Sequence, residues 1–363
     1  MTMLERQIIP ITSEEANDEQ PMQPGAGNLG LSRRSYERLY YNARRILRSV
    51  DYYVERILPW AVKHVDDMHE HRRRVGRIVM TNGQLSEALQ RSKVLQDNIE
   101  VAISVGTYNG EPIVMCMWGI NNHRGQTIDP VDVIQQETEY QSGPDSLPSE
   151  RVDALRREGY QFVNNLDDIE TDDVLSLWGP IFEWPEQDIN ALRGRLQQQR
   201  DLPPDERSVW FTADMDGSEV VALAMAERLN LPLGNGESIS VVESTEWCVR
   251  SEWQGRGLST GATSHVHAQV LTDLASLEHP PVIVAETNFT SRADRTGHGV
   301  GMIVAPRSAE SFPVPQVLRQ NVAIGDGLRP EHLRDFTMMY IPSENAAQYY
   351  SPEHCEKILG REV

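Results

Sequence analysis

The sequence predicts an α/β fold, a mixed sheet flanked by helices, behind an N-terminal mainly helical region that carries a β-hairpin. Three observations predict it. Strand-like and helix-like periodicities alternate from about residue 160 onward. The apolar, β-branched stretch Ile239 to Val249 runs into a glycine-containing turn and then a helical pattern. Asn109-Gly110 and Asp216-Gly217 supply tight turns between neighbouring strands. Hairpins mixed with helical crossovers call for antiparallel and parallel pairs in one sheet.

Residues 1–30, rich in Glu, Gln, Pro, Gly and Asn, are expected to form a disordered tail. Tyr36, Leu39, Tyr40, Ala43, Ile46, Leu47, Val50, Tyr53, Val54 and Ile57 recur at three- and four-residue steps, which predicts a long amphipathic helix. Pro59 opens a second helix through Val62, Val65 and Met68, and Leu85, Ala88, Leu89 and Leu95 mark a third. Ile99, Val101, Ile103 and Val105 then alternate, and after the Asn109-Gly110 turn Ile113 to Trp118 returns as a strand, completing a unit at 31–122. Pro130, Gly143, Pro144 and Pro148 among acidic and Gln residues make 123–158 the expected linker.

Residues 159–345 carry the regular pattern. A strand is expected near Gln161 to Asn165, helices near Asp172 to Phe182 and Pro185 to Gln199, and a hairpin from Ser208 to Met215 and Glu219 to Arg228. Ile239 to Val249 is the next strand, followed by a helix to about Leu277 and a strand at Pro281 to Asn288. A short helix to His298 and strands near Val317 to Ile324 and Asp335 to Ile341 close the pattern, with 346–363 expected as a C-terminal tail.

Composition narrows the function classes. With 34 Lys plus Arg against 54 Asp plus Glu, the net charge of −20 disfavours nucleic acid and anionic membranes as partners and attracts cationic substrates. Residues 32–98 run against that trend, with 14 basic against 8 acidic residues, so these basic helices are expected to dock on the acidic remainder or on a second copy. The Arg72-Arg73-Arg74 and Arg77 run lacks interleaved aromatics and fits docking better than nucleic-acid contact. Cys116, Cys248 and Cys355 are odd in number and far apart, which reads as reduced thiols of a cytoplasmic protein. The chain shows no zinc spacing, and His64, Asp67, His69, Glu70 and His71 read as a solvated polar face, so no metal is expected. No leader pattern opens the sequence, and the apolar run around Pro112 to Ile120 is too short to span a membrane.

The stretch from Val249 to Ser259 is the richest in chemistry. Gly255, Gly257 and Ser259 stand at a strand-to-helix turn, where backbone amides at a helix N-terminus can gather around a phosphate. The plain alternative is a turn that serves packing alone. Arg250 and Arg256 add positive charge in an acidic region.

Gln254, Gly255, Gly257 and Ser259 resemble the acyl-CoA signature of the GNAT acetyltransferase superfamily: Gln or Arg, two residues, Gly, one residue, Gly or Ala. Ser259 stands where the pattern has Gly or Ala. The resemblance covers roughly residues 160–343 and includes the β-α-α-β-β-β-α-β order. Glu243 to Glu246, Leu318 to Ile324, Arg334-Asp335 and Tyr340 are similar to the β-lysine N-acetyltransferase branch. The resemblance implies a GNAT-like acyl-CoA N-acyltransferase fold and acetyl-CoA as co-substrate. It implies that Gln254, Gly255, Arg256, Gly257, Leu258 and Ser259 bind the pyrophosphate, and that the backbone of Trp247, Cys248 and Val249 pairs with the pantetheine arm.

Asn288 matches the family's cofactor-contacting Asn, with a helix cap as an equal reading. An amine acceptor must lose a proton, which makes Glu246 and then Glu243 the expected catalytic carboxylates. In a regular strand those two, three apart, face opposite sides unless a bulge intervenes; solvated strand-edge charges are the alternative. The family's helix Tyr is missing between Asn288 and His298, so the general acid is unassigned. The implied function is acetyl transfer to a cationic small molecule such as a diamino acid or polyamine; the alternative is a catalytically silent module that binds coenzyme A or a protein partner.

Overall fold

A computed structural model describes residues 39–42, 50–52, 54–55, 73–108, 110–121, 144, 146–182, 186–232, 238–288, 293–304, 321–323 and 333–361. The expected N-terminal tail, the Pro59 helix, the His64 to His71 face and most of the expected linker lie outside these residues.

Four strands form the first sheet, β1 (Leu39–Asn42), β2 (Arg73–Thr81), β3 (Ile99–Tyr108) and β4 (Glu111–Asn121), in the order β1-β2-β4-β3. The β3/β4 hairpin agrees with the alternation read from the sequence. One expectation does not survive. Leu39 to Asn42, placed in a long helix, is a strand paired in parallel with Arg74 to Arg77, leaving helix described only at Val50–Tyr52 and the turn after it. From Arg73 onward, the basic run expected to serve docking forms the start of β2. Backbone partners on the neighbouring strand outweigh a three- and four-residue apolar spacing that strand-forming Tyr and Val residues also permit. Thr81 ends β2 with a capping box: its hydroxyl accepts from the Gln84 amide at 3.3 Å while Gln84 accepts from the Thr81 amide at 3.0 Å. That box starts α1 (Asn82–Arg91), and α2 (Lys93–Asn98) follows, as the Leu85 to Leu95 spacing predicts.

The second part opens with α3 (Pro148–Arg157), a helix at the end of the stretch expected to be linker. Then come β5 (Gln161–Val163), α4 (Thr171–Phe182), α5 (Glu186–Arg200), β6 (Val209–Asp216), β7 (Glu219–Pro232) and β8 (Ser238–Val249). After the glycine turn follow α6 (Leu258–Asp273), β9 (Val282–Asn288), α7 (Ala293–Gly299), β10 (Ile303–Val304), β11 (Asn321–Ala323) and β12 (Leu333–Tyr340). The expected β-α-α-β-β-β-α-β order is present from β5 to β9. Strands run β10-β12-β9-β8-β7-β6-β5, with β11 beside β12; every pair is antiparallel except β8 with β9.

Helices cover both faces of this sheet. On one, Val174, Leu177 and Trp178 of α4 and Ile189, Leu192 and Leu196 of α5 pack on Phe211, Leu223 and Met225. On the other, α6 lies against Ala222, Ala224 and Val242 and is itself covered, so it is buried nearly all round and built of small residues. A methyl added at Gly261 would come within 2.4 Å of Leu155, which shows how closely α3 crosses it. Residues 346–363, expected as a tail, hold the end of α8 (Ser343–Tyr349) and all of α9 (Pro352–Leu359). Tyr349, Tyr350, Cys355 and Ile358 belong to the core there. Full burial of one large apolar side chain is worth roughly 1.5–3 kcal/mol, enough to order a short helix that presents several.

Candidate active site

The parallel strands β8 and β9 pair through Val241 with Val282, Val242 with Ile283 and Glu243 with Val284, and through no further couple among the described residues. Beyond Glu243 they part, while β9 continues along β12 as far as Asn288 with Phe336. A wedge therefore opens beside the Ser244 to Val249 backbone, the edge an extended arm would need in order to pair there.

Within that edge β8 bulges. Between the pairs Met225 with Thr245 and Leu223 with Cys248, β7 advances two residues and β8 three. Glu246 carries the kink, with φ of 53°, and it is the only non-glycine residue with positive φ among the described residues. A left-handed conformation costs a side-chain-bearing residue roughly 1–2 kcal/mol. The Trp178 indole, fully buried on α4, donates to the Glu246 carbonyl at 3.0 Å. The bulge resets the alternation: Ser244 and Trp247 share the α6 face, and the Trp247 indole donates to Ser244 Oγ at 3.0 Å.

Glu243 keeps the other face, directly opposite Glu227, whose carboxylate lies 3.3 Å from Arg195 of α5. Both carboxylates are buried. One row across four strands holds Glu227, Glu243, Val284 and Tyr340. Burial, and secondarily Glu344, raises the Tyr340 phenol above its ordinary value. Cys248 also points to this face, its Sγ 3.4 Å from the Leu177 carbonyl, and burial pushes its thiol up to about 12. A thiol held neutral is a poor nucleophile.

The glycine turn runs from the short 3₁₀ turn Ser251–Trp253 into α6. Gly255 and Gly257 have φ of 82° and 81°, and Gly257 is the N-cap without a side-chain cap. The first amide to bond back is that of Gly261, to the Gly257 carbonyl at 3.0 Å, which leaves the preceding amides of α6 open to an anion. Leu258 buries its side chain, so its amide alone is available. Ser259 has a use for its hydroxyl, which accepts from Thr296 of α7 at 3.1 Å and ties the first turn of α6 to α7.

Arginines complete the turn differently from expectation. Arg250 faces away from it, donating to the Val220 carbonyl at 2.6 Å and lying 3.4 Å from Glu219 and 3.8 Å from Asp173. Arg256 stacks over Trp253 at 4.4 Å and reaches the Tyr160 hydroxyl at 3.4 Å. A residue the sequence reading passed over, Arg151 of α3, donates to the Arg256 carbonyl at 3.0 Å. Its guanidinium lies against Gly257, where an added methyl would come within 1.9 Å of it. Neither Arg151 nor Arg256 pairs with a carboxylate among the described residues. Of the remaining expected residues, Gln254 stands exposed in the turn and Asn288 ends β9.

No protein-family model matches this sequence, and no curated protein matches it. Among solved structures, a GNAT-family acetyltransferase from Streptococcus pneumoniae is similar at 8% identity and a TM-score of 0.33, over 50% of this chain and 98% of the other. An N-acetyltransferase from Staphylococcus aureus Mu50 is similar at 9% identity and 0.34, over 50% and 98%. Spermidine N-acetyltransferase from Vibrio cholerae, solved with CoA and spermine, is similar at 13% identity and 0.30, over 52% and 98%. Likeness of this degree leaves the chemistry to be read from the chain's own geometry.

Proposed function

We propose that this chain is an acetyl-CoA-dependent N-acyltransferase of the GNAT superfamily that acetylates a small cationic amine. The observation that carries the reading is the parting of β8 from β9 directly before the Glu246 bulge and the glycine turn. The open amides of α6 with Arg151 and Arg256 fit a pyrophosphate, and the free edge of Trp247, Cys248 and Val249 fits a pantetheine arm. When bound, acetyl-CoA supplies the acetyl thioester.

In the proposed reaction the amine nitrogen attacks the thioester carbon, the C–N bond forms and the C–S bond breaks. Glu246 takes the proton the amine loses, with Glu243 as second choice, and the thiolate leaves and is protonated to the free thiol. A backbone amide of the Trp247 to Val249 edge steadies the oxyanion; such a donor commonly lowers a barrier by about 2.7–4 kcal/mol. Direct attack is favoured over an acyl-cysteine route by the neutral, buried Cys248 thiol. The net charge of −20 supports a cationic acceptor such as a polyamine or diamino acid.

Calorimetry with acetyl-CoA, followed by thiol-release assays with spermidine, diamino acids and amino sugars, tests the reading. Binding with amine-dependent thiol release supports it. Binding without release from any amine identifies a silent coenzyme A module, and absence of binding removes the proposal.

A further inference from the structure

Five groups on four separate elements form one buried line of hydrogen bonds behind the bulge. The Trp247 indole donates to Ser244 Oγ at 3.0 Å, and Ser244 Oγ lies 2.7 Å from His267 Nε2 on α6. His267 Nδ1 lies 3.4 Å from the Tyr350 hydroxyl, and that hydroxyl donates to the Val300 carbonyl at 3.0 Å. Only one arrangement of protons satisfies every member. Tyr350 spends its proton on Val300, so it accepts from His267 Nδ1–H; His267 Nε2 is then bare and accepts from Ser244, whose oxygen accepts from Trp247. Ser244, His267 and Tyr350 are 2%, 0% and 5% exposed, so water does not replace a missing partner.

The line begins across the bulge. Residues three apart on a regular strand face opposite sides, and only the extra residue at Glu246 lets Trp247 reach Ser244. The Trp247 ring also lies close to α7 and β12: an added methyl at Gly297 would sit 3.7 Å from it and 2.6 Å from the Met339 sulfur. At the far end, Tyr350 is locked in the turn between α8 and α9, where its carbonyl accepts from Cys355 Sγ at 3.4 Å.

We propose that Ser244, His267 and Tyr350 are positioning residues that hold the Glu246 bulge and the Trp247 to Val249 edge in shape for acyl transfer. The C-terminal turn thus acts on the reaction through His267, although it touches neither reactant. The catalytic consequence rests on the acyltransferase reading; the holding of the bulge does not.

The test uses full-length Tyr350→Phe and Ser244→Ala, with Ser244→Thr as the conservative variant. Hydrogen exchange is followed in the peptide 244–249 and, as a reference, in β6. Exchange in 244–249 is expected to rise roughly tenfold in the first two variants, as for one lost buried hydrogen bond, and to return toward wild type in Ser244→Thr. Well below each melting temperature, kcat for thiol release is expected to fall while KM for acetyl-CoA changes by less than about threefold. Unchanged exchange in 244–249, or a rise matched in β6, overturns the proposal. Raised exchange with unchanged kcat leaves the relay merely structural and overturns the catalytic half. Wild-type protein that releases no thiol, with exchange still raised in the variants, fails the acyltransferase reading and spares the holding role.

Discussion

The Trp178 indole and the Glu246 carbonyl meet at 3.0 Å, and through that bond α4 grips the β8 bulge from the face opposite to α6. Glu246 thus combines a strained backbone with the carboxylate proposed to take the amine's proton. Its substitutions should separate the two roles.

Glu246→Gly keeps the bulge and removes the left-handed strain, offset by the conformational freedom glycine loses on folding. Stability is expected to be unchanged or higher by up to about 1 kcal/mol, with activity lost. Glu246→Gln keeps the strain and is expected to lower kcat by roughly 10²–10⁴-fold, the usual worth of a general base. Thermal melts and thiol-release kinetics on both proteins check the pair.

Trp178→Phe fills nearly the same volume but withdraws the donor from the Glu246 carbonyl. Loss of that part-buried hydrogen bond is expected to cost about 0.5–1.5 kcal/mol by urea denaturation. It should lower kcat more than it raises KM for acetyl-CoA.

Arg151→Ala removes a guanidinium from the glycine turn without touching its amides. The dissociation constant for acetyl-CoA is expected to rise about two- to tenfold, the range of one net polar contact, and less at high salt. Titration calorimetry at two ionic strengths reads this, and an unchanged constant removes Arg151 from the phosphate site.

Asp214, fully buried on β6, has no cation beside it among the described residues, and burial pushes its carboxyl up to about 8, with the Met215 amide offsetting part of the rise. The folded state keeps a proton that the unfolded chain loses at its ordinary value of 3.8. Stability from this group is therefore full at low pH and is lost as pH rises toward 8. His265 and His267, both lowered by burial to about 3, act in the opposite sense and withdraw stability as pH falls below 6.5. Asp214→Asn is expected to flatten the decline above pH 6.5 and to steepen the acid limb between 3.8 and 6.5, where Asp214 opposes the histidines, in urea midpoints measured across that range.

Much of the chain was legible because its signals are local. The alternation of β3, the turns at Gly110 and Gly217, and the small-residue turn at Gly255 to Ser259 each depend on a few neighbouring residues and appear where expected. Leu39 to Asn42 was misread because a short strand gains its stability from a partner distant in sequence, here β2. Tyr349 to Ile358 was read as a tail because short helices around Pro352 look like a loop until the core they cover is known. Arg151 was missed for a related reason: nothing in a solvent-facing helix pattern says that its end lies against a glycine about a hundred positions later.

Residue order alone establishes an acidic α/β chain with a glycine turn between a β-branched strand and a helix, since backbone conformation and charge are set within a few residues. The fold alone decides that Glu246 is the inserted residue of a bulge, that Glu243 looks the other way beside Glu227, and that Tyr350 reaches Trp247 through His267 and Ser244. Those relationships depend on strand register and on helix packing over long separations, and a one-residue shift in register would reverse every face on which they rest.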